Sequence, residues 1–216
     1  MCGRFGSFAE WSELQDKFAV TELDDAVRPS YNIAPTQRAP VILDAAPSRV
    51  SAVQWGLVPS WSKEPKMAFS MINARAETLG EKPAYKHLVQ RRRCVIIASG
   101  FYEWHTKGKV KQPYFLQYRD GVFGMAGLWD EWHSPDGKTV LRTFTIITTS
   151  PNELMQPIHD RMPVMLTPAQ CKAWLVTGDT GLLHAFPASL MTATRVSPLV
   201  NNVRNNNPDV LRPLNA

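Results

Sequence analysis

The spacing of apolar residues near the start of the chain predicts a helix. Trp11, Leu14 and Phe18 are spaced to share one helical face. The segment before them, Ser7-Phe8-Ala9-Glu10, matches a capping box. We therefore predict a helix over roughly residues 8 to 19, with one stripe packed inward.

Apolar runs further along the chain predict a series of short strands. The first of them are Val41-Ile42-Leu43, Val50 to Leu57, and Cys94-Val95-Ile96-Ile97-Ala98. Turn signals then recur at the spacing of an antiparallel meander. They are Lys107-Gly108-Lys109 between Phe101–Trp104 and Pro113–Tyr118, Asp120-Gly121 before Val122–Trp129, and Pro135-Asp136-Gly137 before Val140–Thr149.

Helices are predicted again after this meander. Ser150-Pro151-Asn152-Glu153 and Thr167-Pro168-Ala169-Gln170 each combine a capping box with proline at the first helical position. The second box leads into Cys171, which we predict to be buried. Two closing strands are predicted at Val196–Val203 and Val210–Leu214. The sum is an α+β fold in which an antiparallel β-sheet curls toward a barrel and carries peripheral helices.

Length and composition narrow the class of protein. A chain of 216 residues is long enough to bury roughly 70% of its unfolded surface, and we expect a single domain over residues 1–216. Its three cysteines form no CxxC pair and leave an odd one, which argues against a disulfide framework and a four-cysteine zinc site. No secretory signal or membrane-spanning run is evident, so we expect a soluble cytoplasmic protein.

Charge and aromatic content leave nucleic-acid binding open. The net charge of +5 is mild, but basic residues cluster at Arg91-Arg92-Arg93 and at Lys107, Lys109 and Lys111. Seven tryptophans provide flat faces. A positive groove with stacking aromatics is how single strands are held without sequence readout. The same residues are also compatible with core packing and a solvated hairpin turn.

The second residue carries the most distinctive chemistry. If Met1 is removed, Cys2 has a free α-amine and a thiol on one carbon skeleton. Both groups are usable nucleophiles near neutral pH. The amine can form a Schiff base with an aldehyde, and the sulfur can then close a five-membered thiazolidine on the same carbon.

Three further polar residues interrupt apolar or turn-forming stretches. Glu103 lies between Tyr102 and Trp104, where desolvation would raise its pKa and suit it to proton transfer. Strand alternation leaves a solvent-facing Glu103 equally compatible with the sequence. Asn73 and His159 are candidates for the same site, although a turn or cap role for Asn73 and a structural role for His159 also fit.

Several motifs together identify a family. They occur in this order along nearly the whole chain: Met1-Cys2-Gly3-Arg4-Phe5, Tyr31-Asn32-Ile33-Ala34-Pro35, Trp55-Gly56-Leu57-Val58-Pro59-Ser60-Trp61, Asn73-Ala74-Arg75-Ala76-Glu77, Arg93-Cys94 through Gly100-Phe101-Tyr102-Glu103-Trp104, Gln112-Pro113-Tyr114-Phe115, Ala126-Gly127-Leu128-Trp129, and Ile158-His159-Asp160-Arg161-Met162-Pro163. In this ordered set the chain resembles the SOS response-associated peptidase (SRAP) family of abasic-site-processing proteins.

The resemblance implies a single SRAP-like domain that recognises abasic sites in single-stranded DNA. It implies a covalent thiazolidine crosslink through mature Cys2 after self-removal of Met1, together with abasic-site lyase activity and protection of damaged DNA during the SOS response. Asn73, Glu103 and His159 match the other catalytic positions. The predicted DNA-contact residues in these motifs are Arg4, Asn32, Pro35, Trp61, Arg75, Trp104 and Arg161.

The resemblance implies no metal and no organic cofactor. We expect a monomer with replication-fork proteins as partners. Two alternatives from other classes remain. In one, Cys2 is an N-terminal nucleophile, or forms a Cys-His-Asn thiol peptidase with His159 and Asn73. In the other, the chain is a single-strand binding module that makes no covalent bond.

Overall fold

The computed structural model describes residues 2–43, 49–65 and 70–214. Three helices and fourteen strands occur within these residues. The helices are α1 (Trp11–Phe18), α2 (Pro83–Arg91) and α3 (Pro168–Thr177). The strands are β1 (Phe5–Ser7), β2 (Glu22–Leu23), β3 (Ser30–Ile33), β4 (Arg38–Leu43), β5 (Arg49–Trp55), β6 (Asn73–Arg75), β7 (Arg93–Ala98), β8 (Gly100–Lys107), β9 (Val110–Tyr118), β10 (Phe123–His133), β11 (Val140–Thr149), β12 (Met162–Pro163), β13 (Met165–Leu166) and β14 (Met191–Arg195).

Five of these strands close a barrel. In order around the ring they are β11, β10, β7, β4 and β5, and every neighbouring pair except one is antiparallel. The ring is closed by a parallel pairing of β5 with β11, in which Phe144 lies opposite Trp55. Closure leaves these strands without a free edge. The predicted sheet that curls toward a barrel is thus confirmed.

Alternation along the barrel strands separates an inner from an outer apolar cluster. Val41, Ile96 and Ile146 belong to one buried cluster, and their sequence neighbours Ile42, Val95 and Ile147 belong to the other. The outer cluster also contains side chains from all three helices, which places the helices on the outside of the barrel as predicted. Each fully buried aliphatic side chain contributes about 1.5–3 kcal/mol to folding.

A second sheet lies beside the barrel and carries the start of the chain. Its strand order is β14-β9-β8-β1-β3. Phe5 of β1 pairs with Phe101 of β8, and both belong to the inner apolar cluster of the barrel together with Cys2. The second residue is therefore held in the core, beside the strand that carries Glu103.

The helix predictions are correct for α1 and α3 and wrong in between. The box Thr167-Pro168-Ala169-Gln170 forms both reciprocal bonds and starts α3, in which Cys171 is buried as predicted. The box at Ser7 does not form, because Ser7 pairs with Ser30 in the sheet and α1 begins only at Trp11. The box at Ser150 is not followed by a helix. Residues 153–158 form turns, and Asn152, just before them, accepts the Met155 N–H with its Oδ1.

The end of the chain also differs from the prediction. The last strand, β14, lies before Val196 and pairs with β9. Val196–Val203 and Val210–Leu214 instead contain short 3-10 turns at Pro198–Asn201 and Pro208–Leu211, joined by a single bridge between Val196 and Pro213. The prolines that begin both turns carry no N–H for a strand ladder. Helix α2, which begins at Pro83, was not predicted.

None of the helices described here is long and apolar enough to span a membrane. The three cysteines are all buried and none forms a disulfide.

Candidate active site

Cys2 and Asn73 meet at the junction between the two sheets. Cys2 is 0% exposed and lies just before β1. Asn73 begins β6, which is held parallel to β11 with Asn73 opposite Ile146. From there the Asn73 Nδ2 donates to the Cys2 carbonyl oxygen at 2.8 Å. Asn73 Oδ1 is also buried and accepts no hydrogen bond from the described residues. The amide therefore fixes the backbone of Cys2 and retains an acceptor next to it.

Glu103 is buried in the same region. It lies on β8 and is only 3% exposed, which decides between the two orientations that the sequence left open. Burial raises the pKa of the Glu103 carboxyl above its ordinary value, while His159 and the Trp104 backbone N–H act in the opposite direction. A carboxyl with a raised pKa exchanges a proton readily near neutral pH.

His159 faces this carboxyl from a neighbouring loop. Its Nε2 lies 4.0 Å from Glu103 Oε2. Its Nδ1 lies 3.0 Å from the Arg161 backbone N–H, which it can accept, and 2.8 Å from Asp160 Oδ1, to which it could only donate. These two contacts at Nδ1 are alternatives, because they require opposite proton positions. Either tautomer of the ring therefore has a hydrogen-bond partner at Nδ1.

The surroundings of Cys2 disfavour the thiolate form of its side chain. Burial, followed by the nearby Glu103 carboxylate, raises the pKa of the Cys2 thiol well above its ordinary value. A buried thiol next to a carboxylate stays protonated and is a poor nucleophile by itself. Sulfur chemistry at this position therefore needs a base, and Glu103 is the adjacent one.

A groove opens from this cluster to the surface. It encloses about 360 Å³ and is lined by Glu103, Trp104, Thr106, Lys111, His159 and Asn201. One wall is fixed by the Trp104 indole N–H, which donates to Asn201 Oδ1 at 2.7 Å. The buried cluster is thereby connected to a solvent-accessible channel that has aromatic, amide and basic side chains.

Arg4 and Asn32 lie behind this wall and are bonded to each other. Arg4 Nη1 donates to Asn32 Oδ1 at 2.7 Å and to the Val200 carbonyl at 2.8 Å. Asn32 is 1% exposed, and its Nδ2 donates to the carbonyls of Asn202 and Asn205. The Arg4 guanidinium also lies 5.9 Å from the Trp104 ring centre. Both side chains thus hold the loop that presents Asn201 to the groove. Because Asn32 is buried, its position does not support the predicted direct contact with DNA.

Arg161 and Arg75 lie on the β6 side of the site. Arg161 is paired in a fork with Glu77 at 2.6 and 2.9 Å, and it also donates to the Thr148 carbonyl at 2.7 Å. Arg75 is exposed and lies opposite the same Thr148 in the β6–β11 pairing. Two arginines therefore flank one residue of β11. The Glu77 carboxylate occupies the Arg161 fork as a phosphate would.

Trp61 and Pro35 are placed on surface loops. Trp61 is 65% exposed and follows Ser60, whose N–H donates to Asp130 Oδ2 at 2.7 Å. Pro35 is half-buried in the turn after β3. An exposed tryptophan on an anchored loop is suited to stacking on a base.

Two residues of this region could not be found from the sequence. Asn201 lies in a segment whose predicted strand does not exist, and Glu77 becomes relevant only through its fork with Arg161. Within residues 2–43, 49–65 and 70–214, no group of three His, Cys, Asp or Glu side chains converges as metal ligands.

Comparison with known proteins gives a consistent picture. The family model described as SOS response associated peptidase (SRAP) matches residues 1–203. The chain is 42% identical to abasic site processing protein YoqW of Bacillus subtilis, over 98% of this chain and 99% of that protein. It is 34% identical to abasic site processing protein HMCES of Xenopus tropicalis, over 87% of this chain and 67% of that protein.

Solved structures agree with this fold. A crystal structure of a protein from Bacteroides thetaiotaomicron superimposes with a TM-score of 0.88 at 26% identity, covering 99% of this chain and all of that one (100%). The sequence motifs, the barrel with its adjoining sheet and the matched relatives together place this chain in the SOS response associated peptidase (SRAP) family.

Proposed function

We propose that this protein recognises abasic sites in single-stranded DNA and captures them covalently through Cys2. The observation that carries the proposal is that Glu103 and His159 line an open groove and that Cys2 lies close enough to Glu103 for this carboxylate to raise its pKa. Asn73 holds the Cys2 carbonyl at this point. The relatives named abasic site processing proteins support the same substrate.

The reaction begins with removal of Met1. While Met1 is attached, the Cys2 nitrogen is a peptide nitrogen and cannot attack a carbonyl. Hydrolysis of the Met1–Cys2 bond by the protein itself releases methionine and creates the α-amine. Asn73 is suited to hold that amine, because its buried side-chain oxygen can accept one of the amine N–H groups. Unlike a carboxylate, this oxygen carries no full charge that would stabilise the unreactive ammonium form.

Glu103 and His159 then act as proton donors and acceptors for the sugar. An abasic deoxyribose is mostly a closed hemiacetal, and opening it moves a proton from the hydroxyl to the ring oxygen. Glu103, whose pKa is raised by burial, is suited to both transfers. The Cys2 amine adds to the released aldehyde, water leaves, and an imine forms.

The protonated thiol fixes the order of the two bonds to carbon. Because the pKa of the Cys2 thiol is raised, nitrogen attacks first and sulfur follows when Glu103 or His159 takes the thiol proton. Addition of sulfur to the imine carbon closes the thiazolidine. If sulfur does not add, the imine acidifies the neighbouring carbon, a proton leaves, and the 3′ phosphate is eliminated. Crosslinking and lyase activity thus diverge from one intermediate.

Single-stranded DNA suits this site best. The reacting atoms lie at the inner end of a groove, and extruding a sugar from intact duplex costs a few kcal/mol that a single strand does not pay. We propose that Arg75, Arg161 and Arg4 provide the positive charge for phosphates, with Trp61 and Trp104 as aromatic surfaces. In the cell, a monomer of this kind would protect lesions near replication forks during the SOS response.

The thiol-peptidase alternative has less support. Such enzymes lower the pKa of the thiol by pairing it with a histidine, whereas burial and Glu103 raise the pKa of Cys2 here. The Nε2 of His159 faces Glu103. A module that only binds single strands would have no need of a buried carboxyl and thiol side by side.

The test uses an oligonucleotide with one abasic site. The wild-type protein should give an adduct that survives denaturation, Cys2→Ala should give none, and Cys2→Ser should give only an imine that borohydride traps. Cys171→Ser is the matched control, because Cys171 is a buried thiol on helix α3 and should leave the adduct intact. An undiminished stable adduct in Cys2→Ala would refute the proposal.

A further inference from the structure

The groove continues past the buried cluster along the free edge of β8. Strand β1 covers this edge only as far as Tyr102, whose N–H donates to the Arg4 carbonyl. Beyond Trp104, no strand of the described residues pairs with this side of β8. Thr106 and Lys111 line the groove there, directly opposite each other in the β8–β9 hairpin.

Strand alternation determines which backbone groups face the groove. Every second residue of a strand directs its N–H to the same edge, so Trp104 and Thr106 share the direction of Tyr102. Two observations agree with this. The Trp104 N–H donates to the Glu103 carboxylate, and Pro113, which lies opposite Trp104, has no N–H and directs its carbonyl to the Val196 N–H on the other side.

The Thr106–Lys111 pair therefore contributes three donors to the groove. They are the Thr106 backbone N–H on the open edge, the Thr106 hydroxyl, and the ammonium group of the exposed Lys111. No carboxylate of the described residues forms a salt bridge with Lys111. A backbone N–H, a hydroxyl and a cation together are a common set of partners for a phosphate oxygen.

The position fits a phosphate next to the lesion. Thr106 follows Glu103 by three residues, which is about 10 Å of strand. Because Glu103, Thr106 and Lys111 line one groove, a DNA strand whose sugar reaches Glu103 would carry its phosphodiester backbone along this edge.

We propose that Thr106 and Lys111 form a subsite for the phosphodiester that adjoins the abasic sugar. The inference rests on the proposed function for the identity of the sugar, and it adds a binding site on the β8–β9 hairpin. Its ligand class is a single phosphodiester of the DNA backbone, bound without base readout.

The test separates binding from reaction. A single-stranded oligonucleotide with a tetrahydrofuran analogue of the abasic site binds but has no aldehyde, so its dissociation constant reports the groove alone. Lys111→Gln should weaken binding about tenfold, the change that 1.4 kcal/mol produces. It should also reduce the slope of log affinity against log salt by about 0.7. Lys109→Gln is the matched control, because Lys109 lies at the exposed hairpin turn, outside the groove lining.

A neutral methylphosphonate locates the contact. Placed in turn at each phosphate beside the analogue, it should weaken wild-type binding most at one position. Its effect at that position should be smaller in Lys111→Gln, in which only the Thr106 donors remain. Thr106→Val, which keeps the backbone N–H, should cause a smaller loss at the same position. Equal effects of Lys111→Gln and Lys109→Gln, or methylphosphonate losses that are unchanged in Lys111→Gln, would overturn the subsite.

The covalent reaction provides the independent readout. With a true abasic oligonucleotide, the concentration that gives half-maximal adduct formation should rise about tenfold in Lys111→Gln. It should stay at the wild-type value in Lys109→Gln, which lies outside the groove lining. A wild-type protein that forms no adduct while the methylphosphonate pattern holds would defeat the proposed function and leave the phosphate subsite standing.

Discussion

Replacing Asn32 by alanine distinguishes a residue that holds the groove from one that contacts DNA. The Asn32 amide donates to two loop carbonyls at 3.1 and 2.7 Å and accepts from Arg4 at 2.7 Å. A neutral hydrogen bond contributes about 0.5–1.5 kcal/mol, and one to a charged group about 1.5–3 kcal/mol. Because these bonds share partners and are not additive, we expect Asn32→Ala to cost about 3 kcal/mol.

Thermal unfolding is the assay for this cost. For a chain of this size, 1 kcal/mol corresponds to about 2–4 °C, so Asn32→Ala should unfold about 6–12 °C below the wild type. Binding to tetrahydrofuran DNA should weaken as well, since Arg4 and the loop bearing Asn201 lose their anchor. Asn202→Ala is the matched control. Among the described residues, the Asn202 side chain accepts only one hydrogen bond, from the exposed N–H of Arg204 in the same loop.

The opposite pattern would refute this reasoning. If Asn32→Ala unfolds at the wild-type temperature yet loses DNA affinity, the side chain acts on DNA directly and the anchoring role is wrong. If it loses stability but keeps full affinity, the loop does not depend on Asn32 for its binding geometry.

Glu103→Gln should slow adduct formation by about 10²–10⁴-fold. Glu103→Gln should also stabilise the fold. Because the carboxyl pKa is raised in the folded state, the wild-type protein loses stability as pH rises from the ordinary glutamate range through the raised pKa. The gain in melting temperature over wild type should therefore grow with pH and vanish below about pH 4. Glu77→Gln should free the Arg161 fork and tighten binding of tetrahydrofuran DNA at low salt, whereas Glu81→Gln, an exposed acid nearby, should have a smaller effect. Arg93→Met should lower the melting temperature without changing adduct chemistry, because Arg93 donates to carbonyls at the ends of α2 and α3, including those of Gln90 and Leu175; unaltered stability would show that these bonds contribute little.

Local sequence signals predicted the fold where local and tertiary preferences agree. The β8–β9 and β10–β11 hairpins formed at their predicted turns, and Thr167 capped α3 as its motif indicates. The same capping pattern failed at Ser7, where pairing with Ser30 in the sheet takes precedence. A capping motif therefore identifies a possible helix start, and the surrounding sheet decides whether it is used.

The candidate residues were visible in the sequence, but their geometry was not. Cys2 behind Met1 and the aromatic neighbours of Glu103 can be read directly from the sequence. The burial of Glu103 depends on the packing of two sheets, which strand alternation could not decide. The same holds for Asn201, since its position follows from the three-dimensional course of a loop anchored by Asn32. Contacts over such long sequence separations leave no local pattern.

Peptide mapping of the DNA adduct tests the central claim most directly. After the protein has reacted with an abasic oligonucleotide, the DNA should be digested to the sugar and the N-terminal peptide analysed by mass spectrometry. The account predicts that the modified peptide begins at Cys2 and lacks Met1. The sugar should be bound through both the nitrogen and the sulfur of Cys2, and the adduct should weigh one water less than the sum of peptide and sugar. A stable adduct on a peptide that still contains Met1, or on a lysine, would contradict it.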